Sequence, residues 1–465
     1  MQIKEYLNYV CEQIKYKPAR EDISKELQSH IEDIKNCYIE DGVEESVAEE
    51  NAIKQMGDAK VVGKKLNKIH RPKLDWKLIV IVFILLSFGF LVASIRSKAN
   101  MPTNPEDGIG VKAFSMQSFI KFVSCGLILS VFVYFIDYKK IIKYSGYLYF
   151  IAVFICIFSI LFGVTINGKV YFTVSLIYSN IAPSIIVVPL YIVAFVGFIT
   201  NIEKKSFIQQ KLKIEEYIKI NKYKIPVLAI ISIIMLVVLN SLTSAIMLAI
   251  SYLIITTVYI LYNTGNLNKT KQIIKIAEIW GSSLIIALFV LVYIGAFSDF
   301  RIDRVKASFN PELDPQNNGY LGMQSKMILN SANLFGKSST LSPAMNVFDE
   351  GTNYALVSIV AYYGWIVAGI MVIAIIGMCT KLIINSIKIK DITGKLLIIG
   401  ISVIFILQSV CNILMNVNFG IKADFNIPFV SYSGGSLIVN MICMAVILGV
   451  YRKKNIIISI KNPVI

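Results

Sequence analysis

Ionisable side chains are scarce in this 465-residue chain: only 16% are Asp, Glu, Lys or Arg, against about 25% in soluble globular proteins. That deficit argues against a water-soluble globule. Histidine is nearly missing, with His30 and His70 alone, and the seven cysteines show no Cys-x-x-Cys spacing. A structural zinc site needs clustered Cys and His ligands, so no metal site is expected, and no cofactor. Cys11 and Cys37 lie in polar sequence, while Cys125, Cys156, Cys379, Cys411 and Cys443 lie in or beside apolar runs. None falls in a segment read as external, so no disulfide framework is expected. A cleavable leader is not evident either: residues 1–75 are polar, and the first apolar run is expected to act as an uncleaved anchor.

What the chain has in abundance is apolar length. Hydrophobic residues make up 55% and the mean hydropathy is +0.65. Lys77–Ile95 reads KLIVIVFILLSFGFLVASI, enough at ~1.5 Å per residue to cross a ~30 Å hydrocarbon core. Ten such spans are read, roughly 78–95, 118–136, 144–163, 183–200, 225–241, 243–262, 274–297, 352–378, 396–416 and 433–451. The net charge of +16 could suggest nucleic acid, but the Lys and Arg sit mostly in short links between apolar runs. The segments 137–143, 203–224, 269–275 and 381–395 and the tail from Arg452 are basic. Basic links of this kind stay on the cytoplasmic side. Loop 298–350 is nearly balanced, with Arg301, Arg304, Lys306, Lys326 and Lys337 against Asp299, Asp303, Glu312, Asp314, Asp349 and Glu350. It is therefore read as external, packed on the mouth of the bundle through Met323, Ile328, Leu329, Leu334 and Phe335, with both termini cytoplasmic. No nucleic-acid partner is expected.

The polar segment ahead of the spans has helical apolar spacing: Tyr6, Leu7, Val10, Cys11 and Ile14, then Ile23, Leu27, His30, Ile31 and Ile34. His30 on that stripe is expected to be packed or capping. A third helix is expected over Val43–Met56, stopped by Gly57, with Asp58 capping a fourth that ends before Pro72. The end of this segment is basic and is expected to lie against anionic lipid. The predicted fold class is all-α. A small cytosolic helical bundle covers 1–75, a ten-span membrane domain 76–455 and a cytosolic tail 456–465.

Three segments on the predicted outer side stand out: RIDRVKASFNPELDPQNNGYLGMQSKMILNSANLFGKS (301–338), DEGTNYALVSIVAYYGWIVAG (349–369) and IPFVSYSGGSLIVNM (427–441). Read alone, PFVSYSGGS is a Pro-initiated turn of small residues. It would serve either close helix approach or backbone N–H contact with an anionic head group.

Taken in order, these segments resemble the SEDS family, the FtsW/RodA/SpoVE group of bacterial cell-wall proteins. IPFVSYSGGSLIVNM is similar to the family's PFxSYGGSSLxxNM signature, with Ser433 and Gly434 shifted. Gln408 and Asn412 occupy its Q…N pair, residues 310–338 follow its NP…DP…GYQxxQS pattern, and NGKVYFTVSLIYSNIAPS (167–184) resembles its NGxxRW stretch. Residues 1–75 look like the short cytosolic prefix of some Gram-positive membrane proteins. The resemblance implies a multi-pass bacterial plasma-membrane protein of cell division, cell shape or sporulation. It implies a ten-span glycosyltransferase that polymerises lipid II, the undecaprenyl-pyrophosphate-linked saccharide. The implied partners are a class B penicillin-binding transpeptidase and other divisome or elongasome membrane proteins. Implied contacts to lipid II or its pyrophosphate are Arg301, Arg304, Gln324, Ser325, Lys326, Lys337, Pro428, Ser431, Gly434, Gly435 and Ser436.

The sequence departs from that pattern where the chemistry would lie. The family's Thr-Asp-Phe motif, whose Asp is the presumed base, reads Thr352-Asn353-Tyr354. Its Gln-Pro-Ser-Glu-x-x-Lys stretch reads Ala182–Val188, and its Gln-Pro-Asp motif reads Leu239-Asn240-Ser241. An amide has no titratable proton near neutrality, so Asn353 cannot be a general base. Two expectations follow. Either Asp349 or Glu350 takes over the base role, or the chain is a non-catalytic scaffold or regulator of the transpeptidase; a lipid-linked saccharide flippase is a third reading. Weak or absent polymerase activity is the expectation from the residues alone. The topology is tested by labelling intact cells: a cysteine at Asn318 should react with an impermeant thiol reagent and one at Lys213 should not. The reverse pattern would overturn it.

Overall fold

The computed structural model describes residues 2–69, 72–98, 116–166, 169–174, 179–208, 214–263, 273–274, 277–281, 299–338, 353–421, 424–431 and 433–454. The chain divides into two compact units, one formed by Met1–Asp75 with Lys388–Asp391 and the chain from Val450 on, the other by Trp76–Ile387 with Ile392–Gly449.

In the first unit the apolar stripes become four helices, α1 (Ile3–Glu12), α2 (Lys17–Glu40), α3 (Glu45–Met56) and α4 (Ala59–Ile69). Tyr6, Leu7, Val10, Ile14, Ile23, Leu27, Ile31, Ala52 and Ile53 form one buried cluster. Gly57 ends α3 at φ +86°, a conformation open to glycine at little cost. Asp58 then accepts from the backbone N–H groups of Lys60 and Val61 at 2.8 and 2.9 Å, capping α4. His30 is exposed, contrary to its expected place in the stripe. It lies one position before buried Ile31, on the edge of the stripe where α2 already faces water.

The second unit is built on α5 (Trp76–Lys98), α6 (Met116–Phe135), α7 (Tyr138–Lys143), α8 (Ser145–Phe162), α9 (Pro183–Ile208), α10 (Ile214–Val238) and α11 (Leu242–Asn263). After these come α12 (Asp299–Phe309), α13 (Tyr320–Ser331), α14 (Ala355–Tyr363), α15 (Trp365–Lys388), α16 (Ile392–Asn416) and α17 (Gly434–Arg452). Among the described residues eight helices are long and apolar enough to cross a membrane: α5, α6, α8, α9, α11, α15, α16 and α17. Within α10 the stretch Lys224–Val238 is a shorter apolar helix. The expected span 274–297 lies mostly outside the described residues. Large apolar side chains point outward, with Phe132, Phe150, Phe154 and Phe162 between 66% and 73% exposed. Such a surface suits lipid and not water. Inside, Phe195 of α9 stacks on Tyr252 of α11 with ring centroids 4.0 Å apart, and the Tyr252 hydroxyl lies 3.0 Å from that of Ser232 on α10.

Two features depart from the sequence reading. Between α8 and α9 a small antiparallel sheet forms in order β1 (Val164–Ile166), β2 (Lys169–Val174), β3 (Ser179–Ile181). Ile166 pairs with Lys169, and the sequence between them is Asn167-Gly168, the composition that two-residue hairpins use.

The expected single span 352–378 is two helices, α14 and α15, broken at Gly364 with φ +89°. Periodicity could not show the break because the run is apolar throughout. Its cause is the segment 333–338, which docks there. Trp365 and Ile366 donate their N–H groups to the carbonyls of Asn333 and Leu334 at 3.1 and 3.0 Å, capping α15 from outside the helix. Gly336 and Ser338 donate back to Tyr363 and Ala361 at 3.1 and 2.8 Å. A Cβ at Gly364 would lie 2.7 Å from both the Leu334 carbonyl oxygen and Phe335 Cα. Leu334 and Phe335, expected to pack inward, are each 73% exposed because this docking uses their backbone.

The break is tested by melting the detergent-purified protein. Gly364→Ala should lower the transition by a strain of ~1–3 kcal/mol. Gly369→Ala, in open space on α15, should be neutral or stabilise by up to ~1 kcal/mol. Equal behaviour of the two would rule the break out.

Candidate functional site

The site is built from two buried asparagines one turn apart on α16. Asn412 and Asn416 are both 0% exposed, and their positions four residues apart put both amides on one face. Asn412 Nδ2 donates to the Asn353 carbonyl at 2.8 Å and also to the Phe425 carbonyl. Asn416 Nδ2 donates to the same Asn353 carbonyl at 2.9 Å and to Asn412 Oδ1 at 2.8 Å. Asn416 Oδ1 accepts the N–H of Val357 at 3.2 Å in the first turn of α14, whose own N-cap, Tyr354, supplies no side-chain bond. A cap supplied from 59 residues away leaves no local signature in the sequence.

Three segments are thereby fixed together: the entry to α14, the end of α16, and the stretch that follows it. The Asn353 side chain faces that last stretch. Its Nδ2 donates to Asp424 Oδ1 at 3.1 Å, and the other Asp424 oxygen accepts the ammonium of Lys169 on β2. The Asp424 side chain is 45% exposed and that of Lys169 23%. A carboxylate thus lies across a hydrogen bond from the position where the sequence pattern lacks one. Sequence reasoning missed Asp424, Lys169 and Asn416. The signal available was a lone acid in the apolar stretch 417–431, but nothing local tied it to residue 353.

The other predicted residues fall in separate places. Asp349 and Glu350 lie outside the described residues. Arg301 and Arg304 are on α12, Arg304 exposed. Lys326 pairs with Glu312 at 2.6 Å, and this hydrogen bond holds the Glu312 carboxyl below its usual pKa. Asp314 accepts the N–H of Asn318 at 3.0 Å, which lowers its pKa in turn. Lys337 Nζ stands 5.7 Å over the Tyr362 ring.

The Gln324 side-chain oxygen Oε1 is buried with no partner among the described residues, while the Ser325 hydroxyl donates to the Leu321 carbonyl one turn back at 2.8 Å. In the turn after Asp424, Ser431 Oγ accepts the N–H of Ile427 at 2.7 Å, with Pro428 inside the turn and Phe429 held at φ +67°. Ser436 Oγ donates to the Ser433 carbonyl at 3.0 Å. Cβ atoms at Gly434 and Gly435 would strike Phe122 of α6 and Ile181 of β3 at 2.4 and 2.8 Å, so both glycines stand at close contacts with neighbouring elements.

A family model described as cell cycle protein, for FtsW, RodA and SpoVE, matches residues 76–456. The chain belongs to the FtsW/RodA/SpoVE family. The "probable peptidoglycan glycosyltransferase FtsW" of Trichlorobacter lovleyi is 24% identical over 387 residues, covering 81% of this chain and 92% of that protein. The protein of the same name from Buchnera aphidicola is 29% identical over 201 residues, 42% of this chain and 54% of its own. A chain of a peptidoglycan synthase complex, from a structure on the coordination of polymerization and crosslinking, superposes with a TM-score of 0.58. It has 16% identity, over 82% of this chain and 98% of that one. The rod shape determining protein RodA of Thermus thermophilus, as a point mutant, superposes at 0.51 with 14% identity over 82% and 98%. Family membership and the apolar helices together make the chain a multi-pass membrane protein.

The asparagine pair is tested by Asn416→Leu, which orphans the Val357 N–H and removes one donor from the Asn353 carbonyl. Each buried group left unsatisfied costs ~1–3 kcal/mol. The melting transition should fall clearly, whereas exposed Asn330→Ala should leave it unchanged. Coincident transitions for the two variants would remove the structural role assigned to Asn416.

Proposed function

We propose that this protein acts in peptidoglycan assembly at the bacterial plasma membrane, binding lipid II at the outer face and polymerising it into glycan strands beside a class B penicillin-binding transpeptidase. The observation that carries this reading is the Asn353–Asp424–Lys169 cluster, held by buried Asn412 and Asn416 inside the part of the chain that matches the family. In the reaction the family performs, a 4-hydroxyl of one sugar attacks the anomeric carbon of another and undecaprenyl pyrophosphate departs. A half-exposed carboxylate suits removal of the hydroxyl proton, and a neighbouring ammonium suits the charge that develops on the phosphate oxygens. The termini lie in the cytoplasm in this reading, with residues 1–75 as a helical prefix domain.

A second reading, a non-catalytic partner of the transpeptidase, is favoured by one observation. Where the family pattern has a Glu and a Lys, the chain has Ile185 and Val188 in the first turns of α9, and Val188 is 4% exposed. Replacing an ion pair by apolar packing is energetically tolerable and leaves a scaffold without those charges.

Incubating the purified full-length protein with labelled lipid II, with and without the transpeptidase, separates the two. Polymerisation predicts a ladder of glycan strands on a gel. Unreacted lipid II under both conditions, with the transpeptidase still co-purifying, would leave the scaffold reading in place of the polymerase.

A further inference from the structure

We propose that Asp424 is the general base of this site, a carboxylate moved across a hydrogen bond from residue 353, with Asn353 and Lys169 positioning it. The inference rests on the polymerase reading above.

A carboxylate has about four lone-pair sites. Asn353 takes one on Oδ1 and Lys169 one on Oδ2, so each oxygen keeps a site for an incoming hydroxyl. The Asp424 side chain is 45% exposed, enough for a sugar to reach it. Three other carboxylates of the neighbouring loop are engaged within it: Glu312 with Lys326, Asp314 with the backbone of Asn318, and Asp303 with Lys306.

The same geometry explains why residue 353 is an amide. Asn and Asp are isosteric, so an Asp at 353 would put a carboxylate oxygen about where Nδ2 now stands, 3.1 Å from Asp424 Oδ1. Two carboxylates that close cannot both stay ionised at little cost. With Asp at 424, residue 353 must donate, and Asn is the isostere that does. The loss at 353 and the acid at 424 are one compensated exchange.

In the step assigned here, the 4-hydroxyl proton passes to an Asp424 oxygen as the hydroxyl oxygen bonds to the anomeric carbon. The bond from that carbon to the pyrophosphate oxygen breaks, and undecaprenyl pyrophosphate leaves with the electron pair. The carboxyl then returns its proton to water through its exposed face. Lys169, bonded to Oδ2, holds the carboxylate in place before attack.

The experiment is a rate and pH profile of lipid II polymerisation for the full-length protein and three variants: Asp424→Asn, Asn353→Asp, and the exchange Asn353→Asp with Asp424→Asn. Wild type should polymerise, and Asp424→Asn should fall by ~10²–10⁴-fold, the usual worth of a general base. Asn353→Asp alone should not gain activity, and its acid limb should move to higher pH because the two carboxylates share a site. The exchange, which restores one acid facing one amide, should recover activity lost in Asp424→Asn. Wild-type rates in Asp424→Asn would overturn the assignment while leaving the polymerase reading intact. A loss that the exchange does not recover would make Asp424 a structural partner of Lys169 and also overturn it. No polymer from wild type would overturn both.

Discussion

The backbone carbonyl of Asn353 accepts hydrogen bonds from two fully buried asparagines of a single helix, and the arrangement of the site follows from that contact. An amide inside a helical bundle is costly unless every donor and acceptor is used. Asn412 and Asn416 use theirs on one another, on the entry to α14 and on the Phe425 carbonyl. Apart from the bond within α16 between the two asparagines, these bonds form only when the entry to α14, the end of α16 and the stretch that follows it meet at one point. The pair therefore fixes where residue 353 stands, and with it the reach of its side chain to Asp424.

A second constraint is the break at Gly364. Splitting one apolar run into α14 and α15 leaves N–H groups at the start of the second helix that need partners from outside it. The 333–338 segment supplies the missing carbonyls to α15, and its Gly336 and Ser338 N–H groups tie the large loop to α14, the helix that begins beside Asn353. Ile328, Tyr354, Val357 and Ala361 close the gap with a small apolar cluster. Loop, broken helix and asparagine pair thus form one connected construction around the half-exposed Asp424–Lys169 contact.

The sequence made the helical class and most of the spans plain, because apolar runs of membrane length leave little alternative. It also exposed the core of the first unit through 3.6-residue spacing. What it hid was non-local. Gly364 reads like any glycine in a span until the docked segment is known. The sheet at 164–181 is too short for an alternating pattern to stand out. His30 shares the period of its neighbours and still faces water, since a stripe's edge is set by what packs on it. Most tellingly, Asn353 read alone is a lost acid, and Asp424 read alone is a stray one. They stand 71 residues apart and become one site only in three dimensions.

That pairing makes the fate of residue 353 depend on residue 424, so the central claim is one of coupling. A double-mutant cycle on polymerisation, with Asn353→Ala, Asp424→Ala and both together, measures it most directly. Groups in direct contact normally show interaction energies of about 0.5–3 kcal/mol. The account predicts that, once Asp424 is removed, truncating Asn353 as well costs little more. Strictly additive effects of the two substitutions would contradict it, because they would mean that amide and carboxylate do not act as a unit.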